Sequence, residues 1–192
     1  MINEEHSLTP RQHTFLKRLT SAKDRLMAAL DGLAPQVICG QPVLESWTVK
    51  DLLGHIVSWN EEFRANITDI LEGRHPGFEY QISGEDDFAA SNQAWIERKR
   101  NFPLAKILED LQKDYIEAVQ LIQNLTPEQL SLRGVTPWKA AAFSRRMEPI
   151  KENTDSVQTL VTFHWRHMNE HCHQIETWRK GWERTQSNEK VQ

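Results

Sequence analysis

Cysteine is scarce in this chain: two residues, Cys39 and Cys172, among 192. They have neither the spacing of a C-x-x-C motif nor the number for a disulfide framework. A reducing, cytoplasmic setting is the simpler expectation. No run of about 18 apolar residues occurs, so no membrane span is predicted and no membrane partner is expected. The opening residues, Met1 to His6, are acidic and polar and lack the basic and apolar segments of a signal peptide. Positive charge is not in excess either. Lys and Arg number 23 against 27 Asp and Glu, a formal net charge of −4. With no basic stripe interleaved with aromatics, this argues against nucleic acid as a partner. Strand signals are also missing, which points to an all-α fold.

What is present is helical periodicity. Thr9-Pro10-Arg11-Gln12 has the form of a capping box with proline in the first turn. Phe15, Leu19, Ala22, Leu26, Ala29 and Leu33 follow at alternating spacings of four and three, a seam for packing against other helices. Residues 34–47 form a connection rich in Pro and Gly. A second helix is predicted from Thr48, capped by Asp51, to about Leu71, with Leu52, Ile56, Trp59, Phe63 and Ile70 inward. After a loop at 73–85, a short helix over 86–100 turns Phe88, Trp95 and Ile96 inward. A third long helix begins near Pro103 and carries Leu104, Leu108, Leu111, Tyr115, Ala118, Ile122 and Leu125. Residues 131–153 have no clear periodicity, although Trp138, Phe143 and Met147 need burial. A fourth long helix starts around 153–155. The expected architecture is a single domain over 1–184, a four-helix bundle with a short extra helix between the second and third long helices. A polar, frayed tail is expected over 185–192.

The chemistry concentrates in that last helix. Four of eight histidines fall between His164 and His173. Residues three and four apart share a helical face, so His164, His167 and His171 lie in one stripe, continued by Gln174 and Trp178 and preceded by the apolar Val157 and Leu160. His173 points away and is expected in solvent. His55 occupies an inward position on the second helix, one turn before Trp59. His167 and His171, at i and i+4, can bind one metal ion, and His55 completes a three-imidazole set if the second and fourth long helices touch. Such a set suits a divalent metal, zinc or nickel foremost, which acidifies water or holds a thiolate. Glu62, Gln174 and His164 are the candidates for orienting the ligands or for acid–base work. His164 on its own fits a hydrogen-bonded core histidine better than a ligand. Trp59 and Trp178 fit packing, and Cys172 a small buried apolar group.

The segment Ser46-Trp47-Thr48-Val49-Lys50-Asp51-Leu52-Leu53-Gly54-His55-Ile56, together with His167-x-x-x-His171-x-x-Gln174-Ile175, resembles the DinB/YfiT-like superfamily. Asp86-Asp87-Phe88 and the ending at Trp178 are similar to its ClbS/DfsB-like branch. One departure is His173 before Gln174, where members often carry glycine. The resemblance implies a helical bundle with metal on His55, His167 and His171, a homodimer, and a small-molecule substrate. It implies either a metal-dependent hydrolase or thiol-dependent transferase, or a protein of the ClbS/DfsB-like type that binds and sequesters a small molecule or toxin without turnover.

Overall fold

A computed structural model describes residues 7–74, 85–133 and 156–189. Four long helices form the bundle: α1 (Pro10–Leu30), α3 (Val49–Leu71), α5 (Leu104–Asn124) and α7 (Val157–Glu189). Between them lie α2 (Pro35–Gly40), a two-stranded ribbon β1 (Pro42–Leu44) and β2 (Trp47–Thr48), α4 (Glu85–Arg100) and α6 (Pro127–Leu130). The ribbon corrects the expectation of no strand. It is too short to leave a periodic signal, and its turn places Glu45 at φ 52°. The side chains expected inward at Phe88, Trp138, Phe143 and Met147 lie outside the described residues.

Three helix starts are set by reciprocal caps, Thr9 with Gln12, Thr48 with Asp51 and Thr126 with Gln129. Each satisfies backbone donors that a helix start leaves unpaired. Gln12 also works at the opposite end of another helix. Its Oε1 accepts from Thr9 N, while its Nε2 donates to the carbonyls of Ile122 and Leu125 at 2.9 and 2.8 Å. One buried side chain thus closes the start of α1 and the end of α5.

Named contacts give the topology. α1 and α7 run parallel, since Arg11 bonds Gln158, Arg25 pairs with Glu176 and Arg179 reaches the carbonyl of Asp31. α3 and α7 are antiparallel, with Phe63 stacked on Phe163 and His55 against His171. α3 and α5 are parallel: Asn60 meets Asp114 and Arg64 meets Glu117. α1 and α5 are antiparallel, with Thr20 on Tyr115 and Gln12 on Leu125. The ring order is therefore α1, α7, α3, α5. A parallel neighbour cannot be reached through a tight turn, so the chain must first travel back along the bundle. α4 is that return path. It lies antiparallel on α3, with Asn92 bonded to Trp59 and Arg100 facing Asp51. Gly54 makes room for it: a Cβ there would stand 3.3 Å from Lys99 Cβ.

The core runs along α3, whose residues 51–60 are all buried. On α5 the inward line is Ile107, Leu111, Asp114, Ala118 and Ile122. Leu104, Leu108 and Tyr115, expected in the seam, lie half-buried at its flank. The reason is Asp114, 2% exposed. It ion-pairs with Arg64, accepts from Asn60 Nδ2 at 2.6 Å and accepts from His164 Nε2 at 3.3 Å. One carboxylate holds α3, α5 and α7 together. Removing one member of such a buried set leaves charge unpaired in the interior. Asp114→Ala is expected to cost about 3–5 kcal/mol of stability. Asp114→Asn, which keeps the Asn60 and His164 side chains partnered, should cost clearly less. Urea unfolding midpoints check the ranking, and equal midpoints for the two variants would contradict it.

Candidate metal centre

The capping box at Thr48 fixes where α3 begins, and His55 follows two turns later on the face that meets α7. Because α3 and α7 are antiparallel, His55 lands between the two turns of α7 that carry His167 and His171. The Nε2 atoms of His55 and His167 are 3.2 Å apart, and those of His167 and His171 are 2.9 Å apart. The ligand atoms of all three lie within 4.8 Å of one another. Imidazole nitrogens bound to one Zn²⁺-sized ion at about 2.0–2.1 Å stand about 2.8–3.4 Å apart when the angles between them are near 90–109°. The two close contacts match that spacing.

Protonation states match it as well. His171 Nδ1 lies 2.8 Å from Gln174 Oε1. A carbonyl oxygen only accepts, so the proton sits on Nδ1 and the Nε2 lone pair faces the other rings. Burial pushes His55 well below the ordinary imidazole range, and His171 adds to this. Burial does the same for His167, reinforced by His171, His55 and His164. His171 is lowered to about 4 by burial, opposed by its bond to Gln174. Three neutral imidazoles in mutual contact cannot each donate to the next and still satisfy every nitrogen. Nδ1 of both His55 and His167 is buried with no hydrogen-bond partner among the described residues. A cation at the convergence of the three Nε2 atoms would use the lone pairs that otherwise oppose one another, so these residues fit a divalent metal.

The wall is aromatic. Trp47 lies 5.4 Å from the His55 ring, while Trp59 and Phe63 lie 5.6 and 6.2 Å from the His167 ring. Trp59 is itself backed by Trp95 at 4.8 Å. Trp178 is half-buried farther along the stripe, stacked on Trp182.

The remaining candidates separate cleanly. Gln174 touches a triad histidine. His164 is held by Asp114, one turn away, and lies outside the cluster of three. Burial, with Arg64 nearby, lowers it to about 3. Glu62 is half-buried, its carboxyl raised by burial against the opposing charge of Arg98; its named electrostatic neighbours are Arg98 and Glu61. His173 is exposed and Cys172 buried, the thiol pushed up to about 12 by burial. Asp114, Asn60 and Arg64 are not apparent from the sequence. The one available signal is a carboxylate three residues after Leu111 and four before Ala118, in line with the apolar seam.

These shifts fix a sign for pH dependence. A histidine whose folded pKa lies below its unfolded value of about 6.5 binds fewer protons folded than unfolded within that window. Stability therefore falls as pH drops below about 6.5, by up to about 1.4 kcal/mol per pH unit for each such group. For metal-free protein we expect a steep loss of stability from pH 6.5 toward 4, and little histidine contribution above about pH 7. His164→Gln should flatten the slope by up to one proton. Chemical denaturation across this range measures it; an unchanged slope in His164→Gln would contradict the assignment.

Comparison with known proteins adds three findings. No curated protein matches the chain. A solved structure, described as the crystal structure of colibactin self-resistance protein ClbS in complex with a dsDNA, is similar with a TM-score of 0.68 over 88% of this chain and 95% of that one. At 14% identity the likeness is one of fold. It corrects the exclusion of nucleic acid drawn from net charge, because ClbS, with the same fold, is in complex with a dsDNA. Net charge sums the whole surface, whereas a duplex senses the local field of one face. Finally, a family model described as the DinB superfamily matches residues 18–175. That span runs from α1 to the third histidine of the triad and its Gln174 partner, and the chain belongs to the DinB superfamily.

Proposed function

We propose that the protein is a divalent-metal-dependent hydrolase or thiol transferase acting on a small molecule, with the ion held by His55, His167 and His171. The observation that carries this reading is the convergence of the Nε2 atoms of buried His55 and His171 and half-buried His167, at 2.9 and 3.2 Å. A divalent ion on three imidazoles supplies Lewis acidity toward water, a thiol or a carbonyl group. The chain's own residues do the rest. Gln174 fixes the tautomer and ring orientation of His171. Asp114 holds His164, and with it the turn of α7 before His167. Trp47, Trp59 and Phe63 give the site an apolar wall, which favours a substrate with apolar or planar parts and strengthens electrostatic interactions inside it.

A second reading concerns the partner. Duplex nucleic acid, which accompanies ClbS in its structure, is favoured here by helix α1. That helix carries Arg11, Lys17, Arg18, Lys23 and Arg25 against a single acidic residue, Asp24.

Protein purified without a histidine tag and incubated with Zn²⁺ or Ni²⁺ is expected to hold about one equivalent by elemental analysis. His55→Ala and His167→Ala should each abolish stoichiometric binding, since loss of one of three ligands leaves a weak site. Less than about a tenth of an equivalent in the parent protein would overturn the metal reading. Metal binding without turnover of any ester, strained-ring or thiol-transfer substrate, combined with tight retention of one of them, would favour a sequestering protein over an enzyme.

A further inference from the structure

We infer that the α1/α7 face, on the opposite side of α7 from the histidines, is a binding surface for the phosphate backbone of duplex nucleic acid. This rests on the second reading above and assigns it a place.

Two rows of basic side chains with one period make up the face. Arg11, Arg18 and Arg25 recur every seven residues on α1, at the edge of its buried seam. On α7, Arg166 and Lys180 stand fourteen residues apart on one face, and Arg184 follows one turn later. A step of seven is two turns of helix, about 10.5 Å, and returns each side chain to nearly the same face. Because α1 and α7 run parallel, the two rows run side by side. Arg11 reaches Gln158, Arg18 lies over the Trp165 ring at 4.9 Å and Arg25 bonds Asn169 and Glu176. Gln158, Trp165, Asn169 and Glu176 form the strip between the rows.

Most of this charge is uncompensated. Among the described residues, Arg11, Arg18, Arg166 and Arg184 have no ion pair with a carboxylate. Arg25 is paired with Glu176 at 2.6 Å. Arg11 donates to a neutral amide and Arg18 sits on an aromatic face, arrangements that position a guanidinium without neutralising it. Along this face Arg11, Arg18, Arg25, Arg166, Lys180 and Arg184 stand against Asp24, Glu170, Glu176 and Glu183, of which Glu176 pairs with Arg25 and Glu183 with Arg179, so cations are in excess locally on a chain of net charge −4.

The rows span about 21 Å, the rise of fourteen helical residues, on helices whose axes are expected about 8–10 Å apart. An extended polyanion suits a positive strip of that length, and one with phosphates at regular intervals can meet several cations at once. Arginines and lysines strung along helix edges address phosphates, so the contact expected is with the backbone and is independent of sequence.

The test uses the full chain and a fluorescent duplex of arbitrary sequence, about 20 base pairs long, followed by anisotropy from low to moderate salt. The parent protein should bind, with log Kobs falling linearly against log salt at a slope of about −4, corresponding to roughly four to five phosphate contacts. R11Q/R18Q and R166Q/K180Q should each weaken binding by at least about tenfold and reduce the slope by about 2, because each pair neutralises two phosphates. K113Q, on the exposed side of α5, should change neither. Circular dichroism and thermal melting identify any pair that fails to fold, and the other pair then decides. No duplex binding by the parent at low salt would overturn both the second reading and this surface. Parent binding that survives both folded double variants would leave the reading standing and overturn the surface. Tighter binding to anionic phosphatidylserine vesicles than to the duplex would overturn the choice of occupant.

Discussion

The structure depends on how α3 meets α7. Their antiparallel contact sets the residue opposite each turn, and that register decides whether three histidines form one cluster or remain separate polar intrusions. Phe63 stacked on Phe163 and His55 lodged against His167 and His171 are two ends of the same alignment. A slip of one turn, about 5.4 Å, would carry His55 past the pair. The capping box at Thr48 and the ion pair of Asp114 with Arg64 act on the same register, the first by fixing the start of α3 and the second by tying α3 and α5 to His164. Buried polar groups are costly unless partnered. Here they are placed where partnering one group aligns another.

The same constraint explains the extra helix. With α3 and α5 parallel neighbours, the chain must return along the bundle before α5 can start. α4 makes that return and adds Trp95 behind Trp59, which in turn packs on His55 and His167. What topology requires only as a crossover thus becomes the outer layer of the site wall. Lys99 is buried against Gly54 and reaches Glu61, so α4 is anchored by its charged side as well as its apolar one.

Much of this was legible in the sequence where local chemistry is strong. The capping boxes at Thr9 and Thr48 mark helix starts that the structure reproduces, because each depends on only four residues. His55, His167 and His171 could be placed on inward faces because the helical period is fixed and their neighbours are apolar. Short elements were not legible: α2 and the ribbon over residues 42–48 depend on packing against α3 and carry no period of their own. On α5 and at its C-cap the inward positions of Leu111, Ala118, Ile122 and Leu125 were legible, but those of Ile107 and Asp114 were hidden for a more instructive reason. Choosing Leu104, Leu108 and Tyr115 avoids a carboxylate in the seam, while the true line through Ile107, Leu111 and Ala118 includes Asp114. Its partners Asn60 and Arg64 lie some fifty residues earlier, and no local pattern links them. Similarly, reading α1 only for its apolar seam hides the arginines beside it, and a single net charge hides their alignment with α7.

Helix α7 therefore has to be read around its circumference rather than along its length. Toward α3 it presents His167 and His171, kept neutral by burial. Toward α1 it packs Met168, Cys172 and Ile175, with Glu176 at the edge bonded to Arg25. Away from both it carries Arg166 and Lys180. These faces impose opposite electrical demands: lone pairs that must stay available to a cation lie within about one helix diameter, roughly 10–12 Å, of fixed positive charge. The apolar stripe between them does not insulate one from the other, since fields are stronger across a dry interior than across water. What separates them is the distance across the helix and solvent screening at the basic face, with a Debye length of about 8–10 Å. Arg11, Arg18, Lys180 and Arg184 accordingly sit in water, while His55 and His171 are buried and His167 is half-buried. On the proposed function and surface, that division would let one helix offer neutral ligands to a cation on one side and positive charge to a polyanion on the other.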